Sequence, residues 1–184
     1  MPRPVLILLN GAPASGKSTL ARAWAERHGA ELPLAIDVDV VRSMLGGWQA
    51  EPVAAGLAAR ALSLAAIRTQ LAAGRDVVVP QYLRRPEFID QLREAAGASA
   101  FLECVLVVDA PEAARRFEGR HAEALRASGP HSPVVHGALI GDSMDAVVDD
   151  FESFVSGRQA VVRLKGSLVE MLDELDAVVM QVRD

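Results

Sequence analysis

The feature that most restricts the fold is a change of pattern near the amino terminus. The apolar run Val5-Leu-Ile-Leu-Leu9 breaks into Asn10-Gly11-Ala12-Pro13-Ala14-Ser15-Gly16-Lys17-Ser18-Thr19, and Leu20 to His28 then reads as a helix closed by Gly29. Gly11 to Ser18 fits G-x-x-x-x-G-K-[ST], and it does so between a strand and a helix, the context that gives the pattern meaning. Glycines let the backbone wrap closely around a phosphate, whose charge the loop N–H groups and the helix N-terminus stabilise. Lys17 then reaches the β- and γ-phosphates of a nucleotide, and the Ser18 hydroxyl ligates Mg²⁺. The nucleotide-binding stretch is accordingly Gly11, Ala12, Pro13, Ala14, Ser15, Gly16, Lys17, Ser18 and Thr19.

The rest of the chain repeats the alternation of strand and helix. A short strand at Leu34-Ala-Ile36 runs into Asp37-Val-Asp39-Val-Val-Arg42, and Gly46, Gly47 and Pro52 precede a long alanine-rich helix, Val53 to Ala73, ended by Gly74. Asp76 to Pro80 is an apolar strand leading into Gln81-Tyr-Leu-Arg84-Arg85, with Pro86 at the first turn of a helix to Ala96. Phe101 to Val108 is the longest strand; a helix begins at Asp109-Ala-Pro111, and Gly/Pro breaks at residues 128–133 interrupt the chain. A helix at Ser143 to Val155, a strand at Ala160 to Leu164 and a helix from Ser167 complete the series. Strands apolar on both faces imply a parallel sheet covered by helices on both sides, an α/β three-layer fold. With 184 residues, no repeat and no linker, the expectation is one domain over residues 1–184, with a lid at about 116–142.

Charge narrows the partners. The 19 basic and 24 acidic residues give a net charge of -5, which disfavours broad electrostatic binding to nucleic acid or an anionic membrane without excluding a local basic pocket. No apolar run approaches a bilayer span and Val5 to Leu9 lacks the flanks of a leader, so a soluble cytoplasmic protein is expected. The single cysteine, Cys104, lies in an apolar strand and reads as a buried thiol of a reducing compartment.

A phosphate loop does not choose a phosphate acceptor. Transfer to a hydroxyl needs a group that orients or deprotonates the nucleophile, and Asp37 and Asp39 are the candidates. Their i, i+2 spacing at a strand end can aim both carboxylates at the crevice above the carboxyl edge of the sheet; the alternative is that one of them caps the following helix.

On the Gly11–Ser18 loop and its strand–helix setting, the chain resembles the small AAA-type P-loop kinases. That group includes adenylylsulfate, gluconate and shikimate kinases, chloramphenicol phosphotransferase, zeta-toxin and the kinase half of polynucleotide kinases. The resemblance implies a five-stranded parallel sheet ordered 2-3-1-4-5 with a small helical lid. Asp37-Val-Asp39-Val-Val-Arg42 is similar to the Asp-Gly-Asp-Asn-Val-Arg stretch of adenylylsulfate kinases, and its Asp-x-x-Arg part to that of polynucleotide kinases. By that resemblance Asp39 is the base for the acceptor hydroxyl, Asp37 contacts the Mg²⁺ shell and Arg42 holds acceptor or transition-state charge. The third strand departs from the usual nucleoside triphosphatase pattern, with Pro80 and Gln81 where a magnesium-binding Asp would stand, which moves the metal role to Ser18 and Asp37. The loop carrying Arg84 and Arg85 is similar to an acceptor-holding loop of these kinases, and reads equally well as a solvated charged loop.

Arg116 and Arg120 are four apart, so on a helix they share one face and can converge on a phosphate. Their position resembles that of lid arginines that stabilise transferred charge; the alternative is salt bridging to Glu112, Glu118 and Glu123. His121, His131 and His136 lack the accompanying spacing of a zinc site. Trp24 reads as core, Trp48 as packing or a stacking surface for substrate, and Ser167 as a helix N-cap as readily as part of an adenine site. The resulting expectation is a kinase moving the γ-phosphate of Mg·ATP to a hydroxyl of a small polar metabolite or antibiotic-like molecule. A 5'-hydroxyl polynucleotide kinase and a non-catalytic ATP-binding regulatory or toxin–antitoxin-type protein are the alternatives.

Overall fold

The computed structural model describes residues 2–108, 115 and 144–183. Its strands β1 (Val5–Asn10), β2 (Leu34–Ala35), β3 (Val77–Gln81), β4 (Ala100–Leu106) and β5 (Val162–Leu164) form one parallel sheet in the order β2-β3-β1-β4-β5. The helices are α1 (Lys17–Arg27), α2 (Val38–Ser43), α3 (Pro52–Ala72), α4 (Pro86–Ala96), α5 (Met144–Ser156) and α6 (Leu168–Arg183). The order and the parallel sense agree with the sequence-based expectation, and the sheet with its helical layers is the P-loop NTPase fold. None of the described helices is long and apolar enough to cross a membrane.

β1 is central and buried along its whole length, which explains its unbroken apolar run. Because successive side chains of a strand point to opposite faces, its residues divide between two cores. Leu6 and Leu8 join Ile67 and Leu71 of α3 and Phe88, Ile89 and Leu92 of α4. Val5, Ile7 and Leu9 join Leu20 and Trp24 of α1 and Leu172, Leu175 and Val179 of α6. Each of these five β1 side chains is fully buried and contributes roughly 1.5–3 kcal/mol by leaving water. Tyr82, Phe151 and Val155 pack on Val105 in a smaller cluster that lays α5 beside β4.

Polar groups fix how these layers join. The Trp24 indole donates to Asp176 Oδ1 at 2.8 Å, His28 Nε2 lies 2.8 Å from the same oxygen, and Arg27 bridges Asp176 and Asp173 at 2.9 and 2.7 Å, clasping α1 to α6. Partial burial pushes the Asp176 carboxyl up, but its contacts with His28, Arg27 and Trp24 outweigh this and hold it below the usual range. A carboxyl depressed in the folded state stabilises above its unfolded value of about 4 and loses that contribution as pH falls through the folded one. Asp176→Asn is therefore expected to lower stability at pH 7 by about 1–2 kcal/mol and to make urea midpoints less sensitive to acidification below pH 5. Equal pH dependence in variant and parent would overturn the assignment.

Two buried carboxylates serve the sheet in the same way. Glu103, inside β4, takes both arms of the Arg158 guanidinium at 2.9 and 2.7 Å, tying the strand to the segment after α5. Asp76 accepts from the Val5 amide at 2.9 Å and pairs with Arg183 of α6. At α6, Ser167 and Glu170 form a reciprocal capping box, with Ser167 N donating to Glu170 at 2.8 Å and Glu170 N to Ser167 Oγ at 3.3 Å. Ser167 is thus the N-terminal cap of α6. Burial pushes the Cys104 thiol up to about 12, in keeping with an inert packed residue.

Candidate active site

The loop between β1 and α1 is built by close backbone packing. Gly11 sits so near its neighbours that a Cβ there would lie 2.7 Å from Ser15 Oγ and 3.2 Å from the Leu106 carbonyl oxygen. Gly16 enters α1 with φ 97, a conformation natural only to glycine. Ala14 also has positive φ, 65, without glycine's freedom, so part of the loop's curvature is carried by a residue the motif leaves unspecified. Lys17 Nζ donates to the Ala12 carbonyl at 2.8 Å and lies 3.5 Å from Ser15 Oγ, placing its ammonium against the inside of the loop. Thr19 is exposed on α1.

Asn10, which the sequence pattern does not single out, sets the loop against the sheet. Its Oδ1 accepts from the Gly11 and Leu83 amides, both at 2.9 Å, and its Nδ2 donates to the Leu83 carbonyl at 3.1 Å. One fully buried carboxamide thus joins the start of the phosphate loop to the loop after β3. The available signal was an Asn closing an otherwise apolar strand. Asn10→Ala strands these buried backbone groups and is expected to cost about 2–4 kcal/mol in denaturant unfolding; a change under about 0.5 kcal/mol would show that water replaces the side chain.

The segment after β2 differs from the expected strand geometry. β2 ends at Ala35, and the chain turns at once into α2, so Asp37 and Asp39 do not occupy alternate positions of a strand. Asp37 is the N-cap: its Oδ1 accepts from the Asp39 amide at 3.0 Å. Its other oxygen receives the Ser18 hydroxyl at 3.1 Å. Capping and proximity to the phosphate loop, alternatives in the sequence, are both realised in one carboxylate. Asp39 lies in the first turn of α2, where its Oδ1 is 3.4 Å from Arg42 Nη2, one turn on. The Arg42 guanidinium in turn lies over the Trp48 ring, 5.5 Å from its centroid.

Other candidate residues fall further out. Arg84 and Arg85 are exposed; Arg84 contacts Asp150 of α5 at 3.3 Å and covers the Tyr82 ring at 5.6 Å, while Arg85 is the residue before α4. Gln81, in register with Asn10, buries an Oε1 that finds no hydrogen-bond partner among the described residues. Arg116, Arg120, the lid at 116–142 and His121, His131 and His136 lie outside the described residues.

Ser18 and Asp37 suit a Mg²⁺ ion. They bring together one hydroxyl and one carboxylate, hard oxygen donors, and no cluster of three or more His, Cys, Asp or Glu that could hold a metal exists among the described residues. Mg²⁺ is commonly held by one or two protein oxygens, with phosphates and waters completing its shell, rather than by an all-protein cage.

A glycine-rich loop running into α1 from the middle strand of a 2-3-1-4-5 parallel sheet defines a nucleotide-binding protein of the small P-loop kinase group. The chain belongs to the AAA domain family, whose model matches residues 6–132. Among solved structures it is similar to a gluconokinase from Sinorhizobium meliloti 1021, at 22% identity and a TM-score of 0.61, with 100% of this chain and 95% of that one covered. A protein from Chloroflexus aurantiacus described as a candidate kinase gives 15% identity, a TM-score of 0.66 and 99% coverage of both chains. A chain of the Pnkp1/Rnl/Hen1 RNA repair complex gives 18% identity and a TM-score of 0.60, over 87% of this chain and 48% of that one. At these identities the likeness is one of fold. No curated protein matches the chain.

Proposed function

We propose that the protein transfers the γ-phosphoryl group of ATP to a hydroxyl of a small polar metabolite or antibiotic-like alcohol. The observation that supports this reading is the Asp37 carboxylate, which accepts from the Ser18 hydroxyl of the phosphate loop and caps the short helix that carries Asp39 and Arg42. A protein that merely retained nucleotide has no need of that second half.

In this reading the loop amides and Lys17 hold the β- and γ-phosphates, and Ser18 and Asp37 hold the metal. When bound, Mg·ATP supplies the phosphoryl group and the metal screens its charge. Asp39 accepts the proton of the acceptor hydroxyl as its oxygen bonds to the γ-phosphorus and the bond to the bridging oxygen of ADP breaks. Arg42 orients Asp39 and meets acceptor or transition-state charge, Arg84 and Arg85 flank the acceptor, and Arg116 and Arg120 neutralise the group in transfer while the lid excludes water.

A 5'-hydroxyl polynucleotide acceptor is the second reading, favoured by the Asp39–Arg42 pair in its Asp-x-x-Arg setting. The net charge of -5, and a carboxylate, Asp150, as the partner of Arg84, favour the small acceptor. The deciding experiment measures Mg·ATP-dependent transfer into two pools, hydroxylated metabolites with antibiotics in one and 5'-hydroxyl oligonucleotides in the other. Label entering the first pool supports the proposal. Label confined to oligonucleotides replaces it with the second reading, and tight nucleotide binding with transfer to neither pool favours a regulatory role.

A further inference from the structure

Asp37 uses its two oxygens on two different parts of the molecule. Oδ2 receives the Ser18 hydroxyl from the first turn of α1, and Oδ1 receives the Asp39 amide that opens α2. α2 carries Asp39 and Arg42, 3.4 Å apart, and Arg42 stacks on Trp48 in the segment that follows. A series of contacts therefore runs from the Ser18 hydroxyl through Asp37 and α2 to the Trp48 ring.

We propose that Asp37 is a positioning residue that couples metal·nucleotide loading at the phosphate loop to the placement of Asp39, Arg42 and Trp48. The inference rests on the nucleotide-binding reading above and adds a linkage that this reading does not require. A carboxylate is a rigid plane, so drawing Oδ2 toward a cation beside Ser18 rotates or shifts Oδ1 as well. Oδ1 caps a helix of only six residues, too short to hold its orientation by its own hydrogen bonds, so the cap joins the packing of Val38 into the core in setting how the helix begins. Movement of the cap then passes to Asp39 through the backbone and to Arg42 one turn later. Nucleotide without metal fills the loop but leaves the Asp37–Ser18 hydrogen bond in place. Metal is thus the component that alters the acceptor side, and by linkage an acceptor that favours the altered placement tightens metal·nucleotide binding by the same factor.

Trp48 is a native reporter of this coupling, and the other tryptophan, Trp24, is fully buried on α1 with its indole held by Asp176. The experiment records tryptophan emission of the full chain saturated with a non-hydrolysable ATP analogue, first with chelator and then with Mg²⁺, and repeats this with Trp48→Phe to isolate the Trp48 contribution. Nucleotide affinity is measured in parallel by calorimetry. The expected result is a Mg²⁺-dependent change in Trp48 emission at saturation, together with at least ~10-fold tighter nucleotide binding in Mg²⁺. Asp37→Asn keeps an oxygen able to cap α2 but lacks the charge for the metal. It is expected to lose both the Mg²⁺-dependent tightening of nucleotide binding and the emission change.

Parent emission that is identical with and without Mg²⁺ at saturation overturns the coupling and leaves the nucleotide-binding reading intact, and this comparison needs no variant to fold. Persistence of the emission change in a folded Asp37→Asn also overturns it. Absence of analogue binding to the parent removes both the coupling and the reading beneath it.

Discussion

Lys17→Ala is expected to lower the transfer rate by about 10³-fold or more. The Lys17 ammonium lies at the inside of the phosphate loop, against the Ala12 carbonyl, where a bound phosphate would exchange that contact for its charge. Removing one preorganised donor from a developing oxyanion costs 10²–10³-fold in comparable sites, and here a full charge on the transferring group is lost as well. Lys17→Arg is expected to fail too, because a planar fork does not replace a compact point charge at the same depth. Steady-state transfer and thermal melts of both variants provide the check. A fully active Lys17→Ala that melts with the parent would remove the loop from the chemistry.

Asp39→Asn is the second large effect, about 10²–10⁴-fold in kcat, the range for losing a general base. The substitution isolates chemistry from structure because the α2 cap uses the Asp39 backbone amide, which Asn retains. Nucleotide affinity should therefore stay within about twofold, and the loss should appear in kcat at saturating acceptor. Undiminished acceptor phosphorylation would sink the assignment of Asp39 as the base.

Much of the framework is legible in the sequence because burial on both faces forces unbroken apolar strands. β1, β3 and β4 announce themselves in this way, and Pro86 marks the start of α4 within a residue. α2 is legible only as the helix that one of the two aspartates could cap, because its six residues leave no room for a helical repeat. The same shortness explains why Asp37 and Asp39 were expected on alternate strand positions. Asn10, Glu103 and Asp76 escaped notice for another reason, since a polar residue in an apolar run declares that it has a partner without naming it. Those partners, Leu83, Arg158, and Val5 with Arg183, are 55 to 107 residues away along the chain.

The sequence by itself determined the phosphate loop and the parallel α/β architecture, and it supplied the charged side chains proposed to meet a nucleotide and an acceptor. These follow from local rules: the alternation of strand and helix, the steric freedom of Gly11 and Gly16, and the spacing of Lys17 and Ser18 at the start of one helix. Only the tertiary structure decided that Asp37 faces Ser18 across a gap of 19 residues, that the same carboxylate starts α2, and that Arg42 stands between Asp39 and Trp48. Those relations depend on the angle at which the chain leaves β2 beside β3, and that angle is set by packing of Ile36 and Val38 into the core shared with α3 and α4. Packing of this kind is a sum over residues distant in the chain, which no local pattern contains.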